Sequence, residues 1–217
     1  MSSGGDPRDR PLPRGVSFWE ESYAGHEAGW FFGSEPSSLA RRVLHFYRSM
    51  KIPTAGRLLD LGCGEGRDVL FFASLGFDVD GVEGSPTAVE RARESVAGAG
   101  YRCPILLEDL ASFAMDAEYD VVFANNSIQF VGPAALDVLG RIRQRTRPGG
   151  WNAIGMFTRE MADWKRDADV YHLEPRELKF LYRDWNLLEY GESIIFSPRR
   201  GEHRSFAHLI ARKPQSG

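Results

Sequence analysis

From Pro36 onward the chain alternates between two spacings of apolar residues. Leu39, Val43, Leu44, Phe46 and Tyr47 share one face of a helix that Pro36-Ser37-Ser38 opens. Arg57–Leu61 (RLLDL) is a short apolar strand, and the turn Gly62-Cys63-Gly64-Glu65-Gly66 separates it from a helix over 67–75 that Gly76 stops. Residues 77–82 alternate as a strand ending at Glu83, after which Ser85 caps and Pro86 begins a helix to about Val96. Residues 104–107 and 119–124 are further apolar strands, and a helix over 133–145 follows. The turn Arg147-Pro148-Gly149-Gly150 leads into a strand over 151–157. A helix over 174–181 comes next, then two long strands, 186–196 and 205–212, joined as a terminal hairpin through Arg199-Arg200-Gly201-Glu202.

Strands and helices in alternation imply right-handed crossovers and a mostly parallel sheet covered on both faces. The expected fold class is therefore α/β: Rossmann-like and doubly wound, with a seven-stranded, mostly parallel sheet and a C-terminal antiparallel hairpin. Ligands of such sheets bind outside the carboxyl ends of the strands. In this chain those ends carry the glycine turn, Glu83, Asp109 and Asn125. Residues 1–16 read as a disordered tail with Pro7, Pro11 and Pro13, and 17–217 as a single domain. A net charge of −3 gives no global field for nucleic acid, no stretch is long and apolar enough for a membrane span, and the polar start has no signal-peptide core. A cytoplasmic protein without nucleic-acid or membrane partners is expected. Cys63 and Cys103 form no framework, and the histidines show no metal-ligand spacing, so no metal is expected.

Three glycines between a strand and a helix let a ligand lie against the backbone. The spacing is not that of a dinucleotide site, because Arg67 stands where the third glycine of GxGxxG belongs, nor of a P-loop, because no Gly-Lys-Ser/Thr follows. Glu83, 17 residues after Gly66, can accept hydrogen bonds from a ribose diol. Asp109 can accept from an adenine amino group, with Glu108 beside it. Asn125 faces a ligand or serves as a turn residue, and Gln129 and Phe130 shape the far side.

These residues resemble the class I S-adenosylmethionine (SAM)-dependent methyltransferases: LLDLGCGEG for the first motif, Glu83, Asp109, and Arg147-Pro148-Gly149-Gly150 before the fifth strand. A narrower resemblance, through Trp19, Tyr23, Gly62 to Asp68, Gly76-Phe77-Asp78-Val79, Glu174-Pro175-Arg176-Glu177-Leu178 and Ala211-Arg212-Lys213-Pro214, is to the tellurite-resistance type of small methyltransferases, relatives of the thiol and thiopurine enzymes. The resemblance implies SAM as cofactor, held by Asp60, Gly62, Cys63, Gly64, Glu83, Gly84, Glu108, Asp109, Leu110 and Asn125, with Trp19 and Tyr23 above it. It also implies a small-molecule methyl acceptor, with sulfur, selenium or tellurium nucleophiles in scope.

No general base stands out, and a thiolate or selenolate needs none. His172, His203 and Arg204 are the acceptor-side candidates, with Gln129 and Phe130; the other histidines are scattered. The aromatics Phe18, Trp19, Tyr23, Trp30, Phe31 and Phe32, spaced by Gly25, Gly29 and Gly33, form either a lid over about 17–35 or a hydrophobic strap on the core. Three rivals stay open: an O- or N-methyltransferase of secondary metabolism, a nicotinamide-dependent oxidoreductase, and a non-catalytic SAM-binding module.

Overall fold

The computed structural model describes residues 14–26, 29–160, 169–197 and 202–215. Residues 1–13 of the expected tail and Arg199-Arg200 of the expected hairpin loop lie outside the described residues. Six helices and seven strands follow in the described chain: α1 (Arg14–Ala24), α2 (Ser38–Ser49), β1 (Arg57–Leu61), α3 (Arg67–Ser74), β2 (Asp78–Glu83), α4 (Pro86–Gly98), β3 (Ile105–Leu107), β4 (Tyr119–Asn125), α5 (Ala135–Arg145), β5 (Thr146–Phe157), α6 (Glu177–Leu181), β6 (Asn186–Ser197) and β7 (Glu202–Arg212).

The strands form one sheet in the order β3-β2-β1-β4-β5-β7-β6. The first five are parallel, and β7 inserts antiparallel between β5 and β6. Alternation along each strand feeds two cores. Leu59, Leu61, Val122 and Ile154 pack on one face, and Leu58, Val121, Phe123 and Ala153 on the other. Burial of both faces explains why β1 and β4 read as continuous apolar runs.

The local signals act as expected. Ser37 caps α2 by accepting from the Ala40 N–H at 3.2 Å, and Ser85 caps α4 by accepting from Ala88 at 3.1 Å. The turn expected at 147–150 is a bulge within β5: Thr146 pairs with Tyr119 and Trp151 with Val121, so the four residues between loop out, with Gly149 at φ +77°. Helix α1 starts at Arg14, inside the stretch expected to be a tail. Val16 there packs so closely on Gly84 that a Cβ on Gly84 would lie 2.8 Å from it. A 3₁₀ segment, Ile128–Ala134, leads into α5, and among the described residues no helix is long and apolar enough to cross a membrane.

A buried polar chain locks β5 to α6. The Tyr182 hydroxyl donates to Asn152 Oδ1 at 2.9 Å, and Asn152 Nδ2 donates to the Thr146 hydroxyl at 2.7 Å. All three residues are buried, so each unmade bond carries a desolvation cost. Tyr182→Phe is expected to lower stability by about 1–3 kcal/mol in urea unfolding, with the midpoint moved and the slope unchanged.

Candidate active site

At the carboxyl ends of β1, β2 and β4 the chain opens into a cavity of about 870 Å³, within the usual range for small-ligand sites. Its first half is built from backbone. Gly62, Gly64 and Gly66 have φ of +75°, +54° and +86°. A Cβ at Gly62 would overlap the Ser127 side chain, and one at Gly64 would stand 2.7 Å from the Tyr23 hydroxyl. Glycine is required at both positions for conformation and for space.

Glu83 clasps this turn. One carboxylate oxygen accepts the Gly64 N–H at 3.0 Å, and the other accepts those of Gly84 and Ser85 at 2.8 and 2.9 Å. Burial raises its pKa, and the three N–H groups pull the other way. An ionised carboxylate has about four acceptor positions, so room for about one ligand hydroxyl remains. Asp109 accepts the Ala111 N–H at 3.0 Å, fixing the loop after β3. Arg141 holds the same loop from α5, donating to the Leu110 carbonyl at 3.1 Å and that of Ala111 at 2.7 Å.

Asp60 ends deep in the cavity wall, 3% exposed, and its Oδ2 has no hydrogen-bond partner among the described residues. Burial pushes its carboxyl well above the usual range, and the neighbouring Asp68 adds to this. Asp68 itself accepts the Ser37 N–H at 2.7 Å, joining the turn to the start of α2.

Helix α1 lies over this half. Glu20 accepts from the Ser85 and Thr87 hydroxyls, each at 2.6 Å, and from the Thr87 N–H at 3.1 Å, at the N-terminus of α4. Burial opposes the charge on Glu20, but the hydrogen bonds from Ser85 and Thr87 outweigh it and lower its pKa. Trp19 stands edge-on to Phe130 with ring centres 5.0 Å apart, and Tyr23 packs on Phe31 at 5.2 Å.

The second half of the cavity comes from side chains of the antiparallel extension. Asn125, Gly155, His208 and Gly191 stand in register across β4, β5, β7 and β6. Phe206 and His208 of β7, Ser193 and Ile195 of β6, Phe157 of β5 and Arg42 of α2 line this end.

Of the residues expected from sequence, Trp19, Tyr23, Asp60, Gly62, Cys63, Gly64, Glu83, Gly84, Asp109, Leu110, Asn125 and Phe130 all line the cavity. Glu108 does not: its N–H bonds the Glu83 carbonyl at 3.1 Å, and its side chain is exposed. Gln129 is fully buried behind the wall and donates to Asn126. His172 is buried and stacks on Phe157 at 5.9 Å, while the Arg204 guanidinium lies 5.3 Å from the same ring. Both touch Phe157, which lines the cavity, and neither lines it itself. His203 is exposed beside Phe196, one residue out of phase with Phe206 and His208. Sequence reasoning missed Arg42 of α2, which carried no signal, and Ser193, Ile195, Phe206 and His208, whose only signal was alternation along the two terminal strands.

A parallel sheet ending in an inserted antiparallel strand, with its ligand cavity on a glycine turn and a strand-end acid, defines the class I SAM-dependent methyltransferases. The tellurite resistance protein TehB family model matches residues 38–200, and the chain belongs to that family. It is 29% identical over 165 residues to hemagglutinin 1 of Eikenella corrodens, covering 73% of this chain and 55% of that protein. It is 26% identical over 176 residues to a probable SAM-dependent methyltransferase TehB of Haemophilus influenzae, covering 75% and 59%. The crystal structure of TehB from that organism superposes with a TM-score of 0.66 at 24% identity, over 78% of this chain and 61% of that one. A probable thiol methyltransferase 2 of Arabidopsis thaliana is 30% identical over 145 residues, covering 64% and 63%. The chain thus spans less than two thirds of the length of these relatives.

Because the folded state raises the Asp60 pKa, it holds a proton that the unfolded chain has released. Stability from this group therefore falls as pH rises from the ordinary carboxylate range towards the raised value. Asp60→Asn is expected to be more stable than the wild type at pH 8 and to flatten that fall, as read by urea unfolding between pH 4 and 8.

Proposed function

We propose that this chain transfers a methyl group from SAM to a small acceptor whose accepting atom is sulfur. SAM supplies an electrophilic methyl group on a sulfonium, and breaking that carbon–sulfur bond leaves S-adenosylhomocysteine (SAH). The observation that carries the cofactor reading is the unpartnered Asp60 oxygen among the carboxylates of Asp68, Glu83 and Asp109. Such a wall suits a ligand bearing an ammonium and a sulfonium and opposes the pyrophosphate of a dinucleotide. Asp60 would take the ammonium group, Glu83 a ribose hydroxyl through its remaining acceptor position, and the Asp109–Ala111 loop the adenine edge.

Helix α1 acts as a lid on this reading. Glu20 anchors it to α4, while Trp19 and Tyr23 close the cavity, exclude water and offer ring faces to a cation. The acceptor end favours sulfur over an oxyanion. Phe130, Phe157, Phe206 and Ile195 make it apolar, and the arginines among the described lining residues are engaged. Arg42 pairs with Glu189, and Arg67 donates to the Phe32 carbonyl at 2.8 Å. The thiol methyltransferase relative points the same way. In such a site holding the acceptor in line with the methyl group is the main task, worth up to about 7–11 kcal/mol in effective-molarity terms.

SAM and SAH are expected to raise the melting temperature and NAD and NADP to leave it unchanged; stabilisation by the nicotinamides alone would refute the cofactor reading. A screen of thiols, selenite, tellurite and phenols, followed by SAH release, is expected to show turnover of thiols first. Trp19→Ala is expected to weaken SAH binding about tenfold, roughly 1.4 kcal/mol, in calorimetry without loss of helical circular dichroism. An unchanged affinity would reduce α1 to a strap on the core.

A further inference from the structure

His208 is the histidine that the fold carries into the cavity. It lies in the middle of β7, paired with Gly155 on one side and Gly191 on the other. The glycines make room for side chains of this row. A Cβ on Gly191 would come within 2.5 Å of the His208 ring, and one on Gly155 within 2.6 Å of Phe206 and 2.8 Å of Asn125 Oδ1. The ring thus occupies the same sheet face as Asn125 and Phe206, at the apolar end of the cavity.

Its two nitrogens differ in surroundings. Nε2 is 2.9 Å from a Glu189 carboxylate oxygen of β6, and Arg42 of α2 ion-pairs with that same oxygen while standing 3.0 Å from Nε2. Glu189 and Arg42 are the charged groups that touch the ring among the described residues, and their charges cancel. Nδ1 has no hydrogen-bond partner among the described residues. A carboxylate only accepts, so a bond from Nε2 to Glu189 needs the proton of the neutral ring on Nε2 and leaves a lone pair on Nδ1; a guanidinium only donates, so a bond from Arg42 to Nε2 needs the reverse. The His208 side chain is only 17% exposed, and that of Glu189 24%. With the proton on Nε2 the ring is a base oriented by a carboxylate, an arrangement suited to general-base catalysis.

We propose that His208 keeps its proton on Nε2 towards Glu189 and acts through Nδ1 as the general base for the acceptor, and that the acceptor enters as a neutral thiol. The proposal rests on the methyl-transfer reading above and adds the protonation state of the substrate to it. The S–H electron pair becomes the new sulfur–carbon bond, the proton passes to Nδ1, and the pair of the broken sulfonium bond stays on the departing thioether. Glu189 then faces an imidazolium instead of a neutral ring, and its charge stabilises that product. Acceptors that already arrive as anions gain nothing from this pair.

Two thiols of different acidity isolate this step. Thiophenol is largely thiolate near neutral pH and needs no base, whereas 2-mercaptoethanol is largely protonated. His208→Gln is expected to lower kcat on 2-mercaptoethanol about 100-fold and to remove the acidic limb of its pH–rate profile. Turnover of thiophenol should change less than about threefold, and SAH affinity by calorimetry should stay within about twofold. Should that variant not fold, Glu189→Gln at the more exposed partner carries the same test, with about a tenfold loss confined to 2-mercaptoethanol. Equal losses on both thiols, or none on either, overturn the proposal. Wild-type turnover of neither thiol, with SAH still bound, overturns the sulfur reading and this proposal with it while leaving the cofactor assignment standing.

Discussion

Three backbone N–H groups converge on the carboxylate of Glu83, and the geometry of the cavity depends on that convergence. Gly64 belongs to the turn after β1; Gly84 and Ser85 belong to the turn after β2. Without the carboxylate, two adjacent strand ends would carry unpaired donors beside a partly buried site, at about 1–3 kcal/mol each. Ser85 extends the connection, since it caps α4 and its hydroxyl donates to Glu20 of α1. One acidic side chain at the end of β2 thus fixes the glycine turn, the start of the next helix and, through Ser85, the helix above them.

The other half of the cavity obeys a different constraint. Insertion of β7 between β5 and β6 carries the sheet past its parallel strands and aligns Asn125, Gly155, His208 and Gly191 in one row. Side chains project from that row where glycines leave space. The half at the glycine turn is built from main-chain groups and one clasping acid; the half at the antiparallel strands is built from rings packed over glycines. The Asp60 oxygen lies in the wall of the first half, among the carboxylates, where burial opposes its charge.

Most of the fold was legible because its signals are local. Apolar runs, serine caps and glycine stops marked the strands and helices to within a few residues, and the glycine turn with Glu83 marked one end of the cavity. The end at the antiparallel strands was not legible. Arg42 is 147 positions from Glu189 and 166 from His208, and no spacing rule connects residues that only a strand insertion brings together. Choosing His203 and Arg204 by residue type overlooked strand parity and packing. His203 falls out of phase with Phe206 and His208, and Arg204, though in phase with them, is stacked on Phe157. His172 stacks on the same ring. Glu108 failed for a related reason: its backbone continues the ladder to Glu83 while its side chain turns to solvent.

Strand β6 closes the sheet with β7 as its only strand neighbour among the described residues, and Ser193 and Ile195 stand along the face that lines the cavity, in phase with Gly191. An edge strand accepts changes of side chain without disturbing a second neighbour, and it contributes nothing to the glycine turn or the Glu83 clasp. On the proposed function, β6 is therefore the strand whose residues can be exchanged to admit a different acceptor while the glycine turn and the Glu83 clasp stay as they are.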